Sequence, residues 1–214
     1  MGTGESKKIY LAALGCAKNQ VDGELMLGAA ASCGHRVVGD PAAADVVVVN
    51  TCAFIGEARR ESVERILELA ELKRDGKRLV VTGCMAERYG RELAKEIPEI
   101  DSLLGTGAFM DLPRALDAAS PKMFPGPKHY LQRPADRRRV DVSEGWAYIK
   151  VSEGCDHECS FCAIPSIRGR HRSRPQEDVV EEASVLAAQG VVEINLVAQD
   201  LSAYGCDRGE PDGL

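Results

Sequence analysis

The chain has 214 residues, of which 44% are hydrophobic and 28% are charged, and its formal net charge is -6. This composition is typical of soluble globular proteins, and the length accommodates one large domain or two modest ones. No apolar run approaches the roughly 18 residues that a membrane span needs, and the first residues contain no apolar signal core. We therefore expect a cytoplasmic protein with no membrane partner. The acidic balance also argues against a chain that mainly binds phosphate backbones.

Five apolar runs in the first half of the chain predict strands. They lie at residues 8–14, 35–38, 45–50, 78–82 and 100–104. The third run contains four consecutive valines, a pattern typical of a strand that is covered on both faces of its sheet.

Helical periodicity follows most of these runs. Asn19 is predicted to cap the first helix, and two later helices are expected at residues 86–97 and 110–119. The long second helix is predicted to turn five apolar residues inward: Val63, Ile66, Leu67, Leu69 and Ala70. The alternation of strands and helices predicts an α/β fold, with a doubly wound parallel sheet over residues 1–119.

A cysteine follows the end of three of the predicted strands. These residues are Cys16, Cys52 and Cys84. Because parallel sheets bind ligands at the carboxyl ends of their strands, we expect three separate segments to bring one thiol each to the same edge. The alternative is three unrelated buried cysteines, since free cysteine packs well in protein cores. With no secretory signal, the eight cysteines of the chain indicate metal binding or catalysis rather than disulfides.

Residues 120–145 differ in composition from the first half of the chain. Four prolines and the run Arg137-Arg138-Arg139 predict a linker with little regular structure. Such an arginine run is most often a solvated segment, although it could also face an anionic partner.

The alternation restarts after this segment. The predicted elements are a strand at residues 146–152, a helix at 175–190 and a strand at 192–197. A TIM-type barrel needs roughly 200 residues or more, so residues 146–214 are expected to form only its first βαβ unit. We interpret the chain as truncated, with a domain at residues 1–119, a linker at 120–145 and the start of a second domain at 146–214.

A second set of cysteines, Cys155, Cys159 and Cys162, has the spacing CxxxCxxC. At this spacing three thiolates can converge on one iron–sulfur cluster. Three thiolates on a cubane leave one iron without a protein ligand, and that iron can bind a substrate or cofactor. The alternative is zinc with His157 or His171 as the fourth ligand, although His157 is expected to point away from converging cysteines.

The cysteine loop, with Phe161 before its last cysteine and a predicted strand before its first, resembles that of the radical S-adenosylmethionine (SAM) enzymes. The stretches at residues 148–153 and 164–169, and the motif at residues 14–22, are similar to the methylthiotransferases and, within them, to the RimO type. One departure is Gly23, where that family often has serine.

The resemblance implies two [4Fe–4S] clusters and SAM as cofactors. It implies that the CxxxCxxC cysteines hold the cluster that cleaves SAM, and that Cys16, Cys52 and Cys84 hold an auxiliary cluster that carries sulfur. The 5′-deoxyadenosyl radical would then remove a hydrogen from the β-carbon of an aspartate, and the carbon radical would take the methylthio group. The implied substrate is a small-subunit ribosomal protein, the S-twelve protein. The implied reductant is an electron donor such as flavodoxin or ferredoxin.

Other residues are weaker candidates. Gln199 and Asp200 end the last predicted strand and could bind SAM, but they could equally be a strand-end cap. A basic stretch could bind the SAM carboxylate or an acidic substrate loop, or form a solvated face: Arg168, Arg170, His171, Arg172 and Arg174. Cys33 is expected to lie in the core, and Cys206 is expected to have no role.

Two other functions remain open. A methylthiotransferase of transfer-RNA adenosine is disfavoured by Ala17-Lys18, where those relatives usually carry Gln-Met, by the stretch at residues 164–169 and by the acidic charge. The second alternative is a non-catalytic iron–sulfur module that docks on ribosomes. Cleavage of SAM would separate that module from an enzyme.

Overall fold

A computed structural model describes residues 6–117, 123–124, 130–210 and 213. Its main element is a six-stranded sheet with the strand order β2-β1-β3-β4-β5-β6, in which every neighbouring pair is parallel. The strands are β1 (Lys8–Ala13), β2 (Arg36–Val37), β3 (Val46–Thr51), β4 (Arg78–Gly83), β5 (Ser102–Leu104) and β6 (Met123–Phe124). The predicted parallel sheet is confirmed.

Helices cover both faces of this sheet, as a doubly wound fold requires. They are α1 (Ala17–Ser32), α2 (Gly56–Ala70), α3 (Cys84–Glu96) and α4 (Leu112–Asp117). Short 3-10 turns occur at Pro41–Ala43, Glu71–Asp75, Phe109–Asp111 and Cys206–Arg208. None of the helices in the described ranges is long and apolar enough to cross a membrane.

The four valines of β3 explain why this strand lies inside the sheet. Side chains alternate between the two faces of a strand. Val47 and Val49 therefore pack in the core under α2 and α3, while Val46 and Val48 pack in the core under α1 and α4. All six residues of β3 are buried, which confirms the prediction of a strand covered on both faces.

The helix starts were predicted less well. Asn19 does not cap α1 but lies in its first turn, and Cys16 occupies the N-cap position. The helix begins early because Gly15, with φ of +93°, turns the chain directly after β1. The Asn19 side-chain amide instead donates to the carbonyls of Leu14 (3.0 Å) and Thr51 (2.9 Å).

On α2, the prediction that Leu67 faces inward is wrong, because this side chain is 50% exposed.

The segment predicted to lack regular structure contributes β6 and an ion-pair network. Arg138 is buried and pairs with Glu24 of α1 and with Glu182. The expectation of a solvated arginine run is therefore wrong for Arg138, since two carboxylates from distant parts of the chain hold it. The predicted domain limits stay predictions. Residues 118–122, 125–129, 211–212 and 214, which include parts of the predicted helix at 110–119 and of the linker, lie outside the described residues.

The second half of the chain contains the expected βαβ unit. Its elements are β7 (Trp146–Lys150), β8 (Ser152–Glu153), α5 (Ile164–Arg168), β9 (Arg172–Ser173), α6 (Gln176–Ala188) and β10 (Glu193–Val197). β7 and β10 pair in parallel, and α6 lies between them in the chain. The sequence analysis missed α5 and the antiparallel pair β8–β9, although Pro165 at the start of α5 and Gly169 after it are typical helix boundaries.

Candidate functional site

Three cysteines from three strand ends line one cavity of about 670 Å³. Cys16 follows β1, Cys52 follows β3, and Cys84 is the first residue of α3 directly after β4. Cys52 and Cys84 are buried, whereas Cys16 is exposed. The structure thus brings together the three thiols that the sequence placed at one edge of the sheet, and their role as cluster ligands stays a prediction.

Two glycines allow these cysteines to approach one another. Gly15 and Gly83 both have φ near +90°, at +93° and +92°, a conformation that side chains with a Cβ rarely adopt. A Cβ at Gly15 would lie 2.6 Å from Cys52 Cβ, and a Cβ at Gly83 would lie 2.6 Å from Thr51 O. A glycine before Cys16 and another before Cys84 are therefore required for this packing.

The CxxxCxxC loop is closed by backbone contacts. The amide of Cys155 donates to the carbonyl of Gly169 (3.2 Å), and the amide of Cys162 donates to the carbonyl of Cys159 (3.0 Å). Gly154 has φ of +82°, and a Cβ there would lie 2.5 Å from Gly169 O. Cys155 is buried, Cys162 is half-buried and Cys159 is exposed, so the loop presents its thiols between the core and solvent.

One further set of metal-ligating side chains lies at this loop. The ligand atoms of Cys155, His157 and Asp200 all lie within 4.8 Å of one another, and His157 Nε2 is 2.9 Å from Asp200 Oδ2. His157 thus lies near Cys155, and the expectation that it points away from the three cysteines when they converge stays a prediction. Zinc accepts thiolate, imidazole and carboxylate ligands, so the zinc alternative stays open for His157. His171 is buried beside this loop, since its amide donates to Asp156 Oδ1 at 3.0 Å, and its Nε2 lies 3.1 Å from Ser173 Oγ.

A cluster of four buried charges connects the two sets of cysteines. Arg168 Nη1 lies 2.6 Å from Asp22 Oδ2, and Lys150 Nζ lies 2.6 Å from Glu153 Oε2. Lys150 also pairs with Asp22, and Arg168 with Glu153. Buried charges are tolerated when they are paired in this way. Burial alone would raise the pKa of Glu153, but Lys150 and Arg168 lower it to about 2, so this carboxylate stays ionised.

Arg168 and Gln199, both predicted to bind SAM, have protein partners in the structure. Arg168 Nη2 donates to Asn19 Oδ1 at 2.5 Å and lies 3.4 Å from Cys84 Sγ. Gln199 donates to Glu153 Oε1 at 2.6 Å and accepts from the Gly154 amide at 2.9 Å. Both residues line the cavity of the three strand-end cysteines. Contact of either residue, or of Asp200, with SAM stays a prediction.

The thiol of Cys84 is affected by its neighbour. Burial raises the pKa of Cys84, and the charge of Arg168 opposes this effect without reversing it. A metal ion would compete with the proton for this sulfur, because iron binds the thiolate form.

The rest of the basic stretch does not form one surface. Arg174 is buried against Glu182, and Arg172 donates to the carbonyls of Arg170 (2.7 Å) and Arg168 (3.2 Å). The Arg170 side chain is 85% exposed. A solvated basic face is therefore wrong for the buried Arg168 and Arg174, because carboxylates within the fold hold them.

Two cysteines lie outside both sets. Cys33 was expected in the core, but it follows the last residue of α1 and is exposed. Cys206 lies in an exposed 3-10 turn.

The donor sets fit iron–sulfur clusters. Each set offers three thiols, which suits a cubane with one open iron, and the strand-end set has a cationic side chain next to one sulfur. Sequence reasoning missed the buried charges that surround these thiols. One signal was available, because Lys150 and Glu153 interrupt an otherwise apolar strand directly before the cysteine loop.

Two family models match separate parts of the chain. Residues 8–105 match the family described as "Uncharacterized protein family UPF0004", and residues 149–205 match the "Radical SAM superfamily". The chain thus contains an N-terminal domain of the first family followed by the start of a radical SAM domain.

Relatives refine that class. The chain is 52% identical over 204 residues to a protein of Anaeromyxobacter sp. (strain K), covering 94% of this chain and 43% of that protein. It is 51% identical over 210 residues to a protein of Myxococcus xanthus (strain DK1622), covering 97% and 44%. Both relatives bear the name "Ribosomal protein uS12 methylthiotransferase RimO". The chain belongs to the RimO-type family, and it spans less than half the length of these curated relatives.

Proposed function

We propose that the protein is a radical SAM methylthiotransferase that inserts a methylthio group at the β-carbon of an aspartate in ribosomal protein uS12. The observation that carries the proposal is the convergence of Cys16, Cys52 and Cys84 on one cavity, which the buried charges connect to the CxxxCxxC loop. The names of the relatives support the substrate.

Two [4Fe–4S] clusters and SAM are the proposed cofactors. Cys155, Cys159 and Cys162 would hold one cluster, and the strand-end cysteines would hold the other. When bound, these groups supply a 5′-deoxyadenosyl radical and a sulfur donor. The protein's own part is to fix the positions of the thiols and to exclude water.

The cavity wall suits that part. It is lined by apolar side chains from the loop after Cys52 and from α5: Phe54, Ile55 and Ile164. Phe54 and Ile55 are half exposed, so they form an apolar rim where a substrate would enter. An apolar rim limits the access of water to a reactive intermediate.

Arg170 is the proposed contact for the acidic substrate loop. Its guanidinium is exposed beside the cysteine loop, 3.9 Å from Asp156 Oδ1, and guanidinium groups bind carboxylates bidentately. Arg172 lies between Arg170 and the core and supports the backbone through its two carbonyl contacts. An electron donor such as flavodoxin or ferredoxin is the proposed reductant, and the cytoplasm is the proposed compartment.

Mass spectrometry of both candidate substrates after anaerobic turnover tests the proposal. We expect a mass gain of one methylthio group on ribosomal protein uS12 and none on transfer RNA. A gain on transfer RNA alone would contradict the proposed substrate. Failure to cleave SAM in a protein with both clusters loaded would contradict the enzyme and favour the ribosome-docking module. The net charge of -6 favours the protein substrate, since a transfer RNA would be bound mainly through its phosphates.

A further inference from the structure

Arg168 connects the two sets of cysteines. Its backbone is continuous with Gly169, whose carbonyl accepts the Cys155 amide at the base of the CxxxCxxC loop. The Nη2 of its side chain lies 3.4 Å from the sulfur of Cys84. Arg168 is thus the immediate chain neighbour of the residue that binds the backbone of the first site, and its own side chain contacts a thiol of the second.

The guanidinium is held in a fixed orientation. Asp22 binds Nη1 at 2.6 Å and Asn19 Oδ1 binds Nη2 at 2.5 Å, and both residues belong to α1. The guanidinium is planar, so two anchored nitrogens determine the direction of every remaining N–H. The side chain is 2% exposed, so the guanidinium is largely shielded from bulk water.

The charges around Arg168 leave it able to stabilise a thiolate. Asp22 and Glu153 contribute two negative charges, and Lys150 and Arg168 contribute two positive charges. This group is neutral before any thiol is ionised. A thiolate at Cys84 adds a negative charge in direct contact with the guanidinium, and burial strengthens that interaction relative to water.

We propose that Arg168 is a positioning residue that donates an N–H···S hydrogen bond to the Cys84 thiolate and raises the reduction potential of the cluster on Cys16, Cys52 and Cys84. The inference rests on the proposed function. Hydrogen bonds to sulfur and nearby charge are among the factors that set the potentials of iron–sulfur clusters. A donor with a positive charge stabilises the reduced cluster more than the oxidised cluster, because reduction adds negative charge.

The test measures the potential of that cluster alone. Cys155, Cys159 and Cys162 are replaced with alanine, the protein is reconstituted anaerobically, and the midpoint potential is followed by electron paramagnetic resonance during a redox titration. We compare Arg168→Gln, which removes the charge, with Arg168→Lys. Arg168→Lys keeps the group of four buried charges neutral, so this variant should fold. Its ammonium group lacks the rigid fork that directs an N–H at the sulfur. Both variants should shift the midpoint to more negative potential.

Arg170→Gln is the matched control, because it removes an exposed guanidinium two positions away and should leave the midpoint unchanged. An unchanged midpoint in Arg168→Lys would overturn the inference, even if Arg168→Gln fails to fold. An equal shift in Arg170→Gln would also overturn it, since general charge would then explain the effect. If the protein with Arg168 unchanged and the three CxxxCxxC cysteines replaced binds no iron at the strand-end cysteines, the proposed function fails, and this inference fails with it.

Discussion

Arg174 Nη1 lies 2.5 Å from Glu182 Oε2 in the interior of the protein. The other carboxylate oxygen of Glu182 accepts from Arg138, which in turn pairs with Glu24 of α1. A single carboxylate on α6 therefore joins two arginines from different segments, and through Arg138 it connects the second half of the chain to a helix of the first half.

This relationship predicts a dependence of stability on pH. Burial alone would raise the pKa of Glu182, but the charges of Arg138 and Arg174 outweigh it and lower the pKa below its ordinary value. The stabilisation is therefore fully present above the unfolded-state pKa of about 4.3, and it is lost as the pH falls toward the folded-state pKa. Glu182→Gln should lower the free energy of unfolding by about 3 kcal/mol at neutral pH.

Urea unfolding followed by circular dichroism measures this difference. The gap between the parent and Glu182→Gln should shrink as the pH falls below about 4. Glu181→Gln is the matched control, because Glu181 is an exposed neighbour on the same helix and its replacement should have little effect. A gap that stays constant from neutral to acidic pH would contradict the assignment.

The glycine before Cys84 gives a second prediction. Gly83→Ala should destabilise the fold and lower the iron content, because the new Cβ would lie 2.6 Å from Thr51 O in addition to the strain of a φ of +92°. Gly34→Ala separates the two effects, since Gly34 has φ of +89° and no atom within 4 Å of its hypothetical Cβ. The Gly34 variant should cost about 1–2 kcal/mol from backbone strain.

Gly83→Ala should cost more than this reference variant in urea unfolding. After anaerobic reconstitution it should also bind less iron, whereas Gly34→Ala should load normally. Equal costs for the two variants would show that the close approach at Gly83 has no energetic importance.

The third prediction is that the two sets of cysteines load independently. Their elements lie on separate sheets, so replacing Cys155, Cys159 and Cys162 with alanine should halve the iron and sulfide per chain and keep the visible charge-transfer band. Cys33→Ala is a control, because Cys33 is exposed at the end of α1 and belongs to neither set. Loss of all iron in the triple variant would indicate one shared cluster.

A fourth prediction separates the roles of the two sets. If the proposed function holds, Cys52→Ala should still produce 5′-deoxyadenosine from SAM but no methylthiolated uS12, because only the strand-end site is damaged. Cys206→Ala should keep both products, because Cys206 is an exposed cysteine in a 3-10 turn. Chromatography of the nucleoside and mass spectrometry of the protein measure the two outcomes. Undiminished methylthiolation by Cys52→Ala would mean that the sulfur has another source.

The sequence predicts the parts of this structure that depend on local patterns. The four valines of β3 indicate burial directly, and the short spacing of the CxxxCxxC cysteines indicates a local site. The edge location of Cys16, Cys52 and Cys84 was also predictable, because parallel strands place their carboxyl ends together.

The parts that sequence reasoning missed depend on pairs that are distant in the chain. Asn19 is a residue type that commonly caps helices, but its side-chain amide donates to the carbonyl of Thr51 at the end of β3. In the sequence, Arg168 and Arg138 resemble solvated arginines. In the fold, Asp22 and Glu24 of α1 form ion pairs with them. No periodicity indicates such partners. The charges before the cysteine loop, at Lys150 and Glu153, were the one available hint.

The backbone closure at the base of the CxxxCxxC loop has a consequence for metal assembly. The bond from the Cys155 amide to the Gly169 carbonyl and the pairing of β8 with β9 bring the ends of the loop together through contacts within the protein chain. The entropy of closing the loop is thus lost during folding rather than during iron binding. If the loop holds the proposed cluster, retention of iron should depend on the pairing of two residues in β8 with two in β9, and local opening of this pair should release iron while all three thiols remain chemically intact.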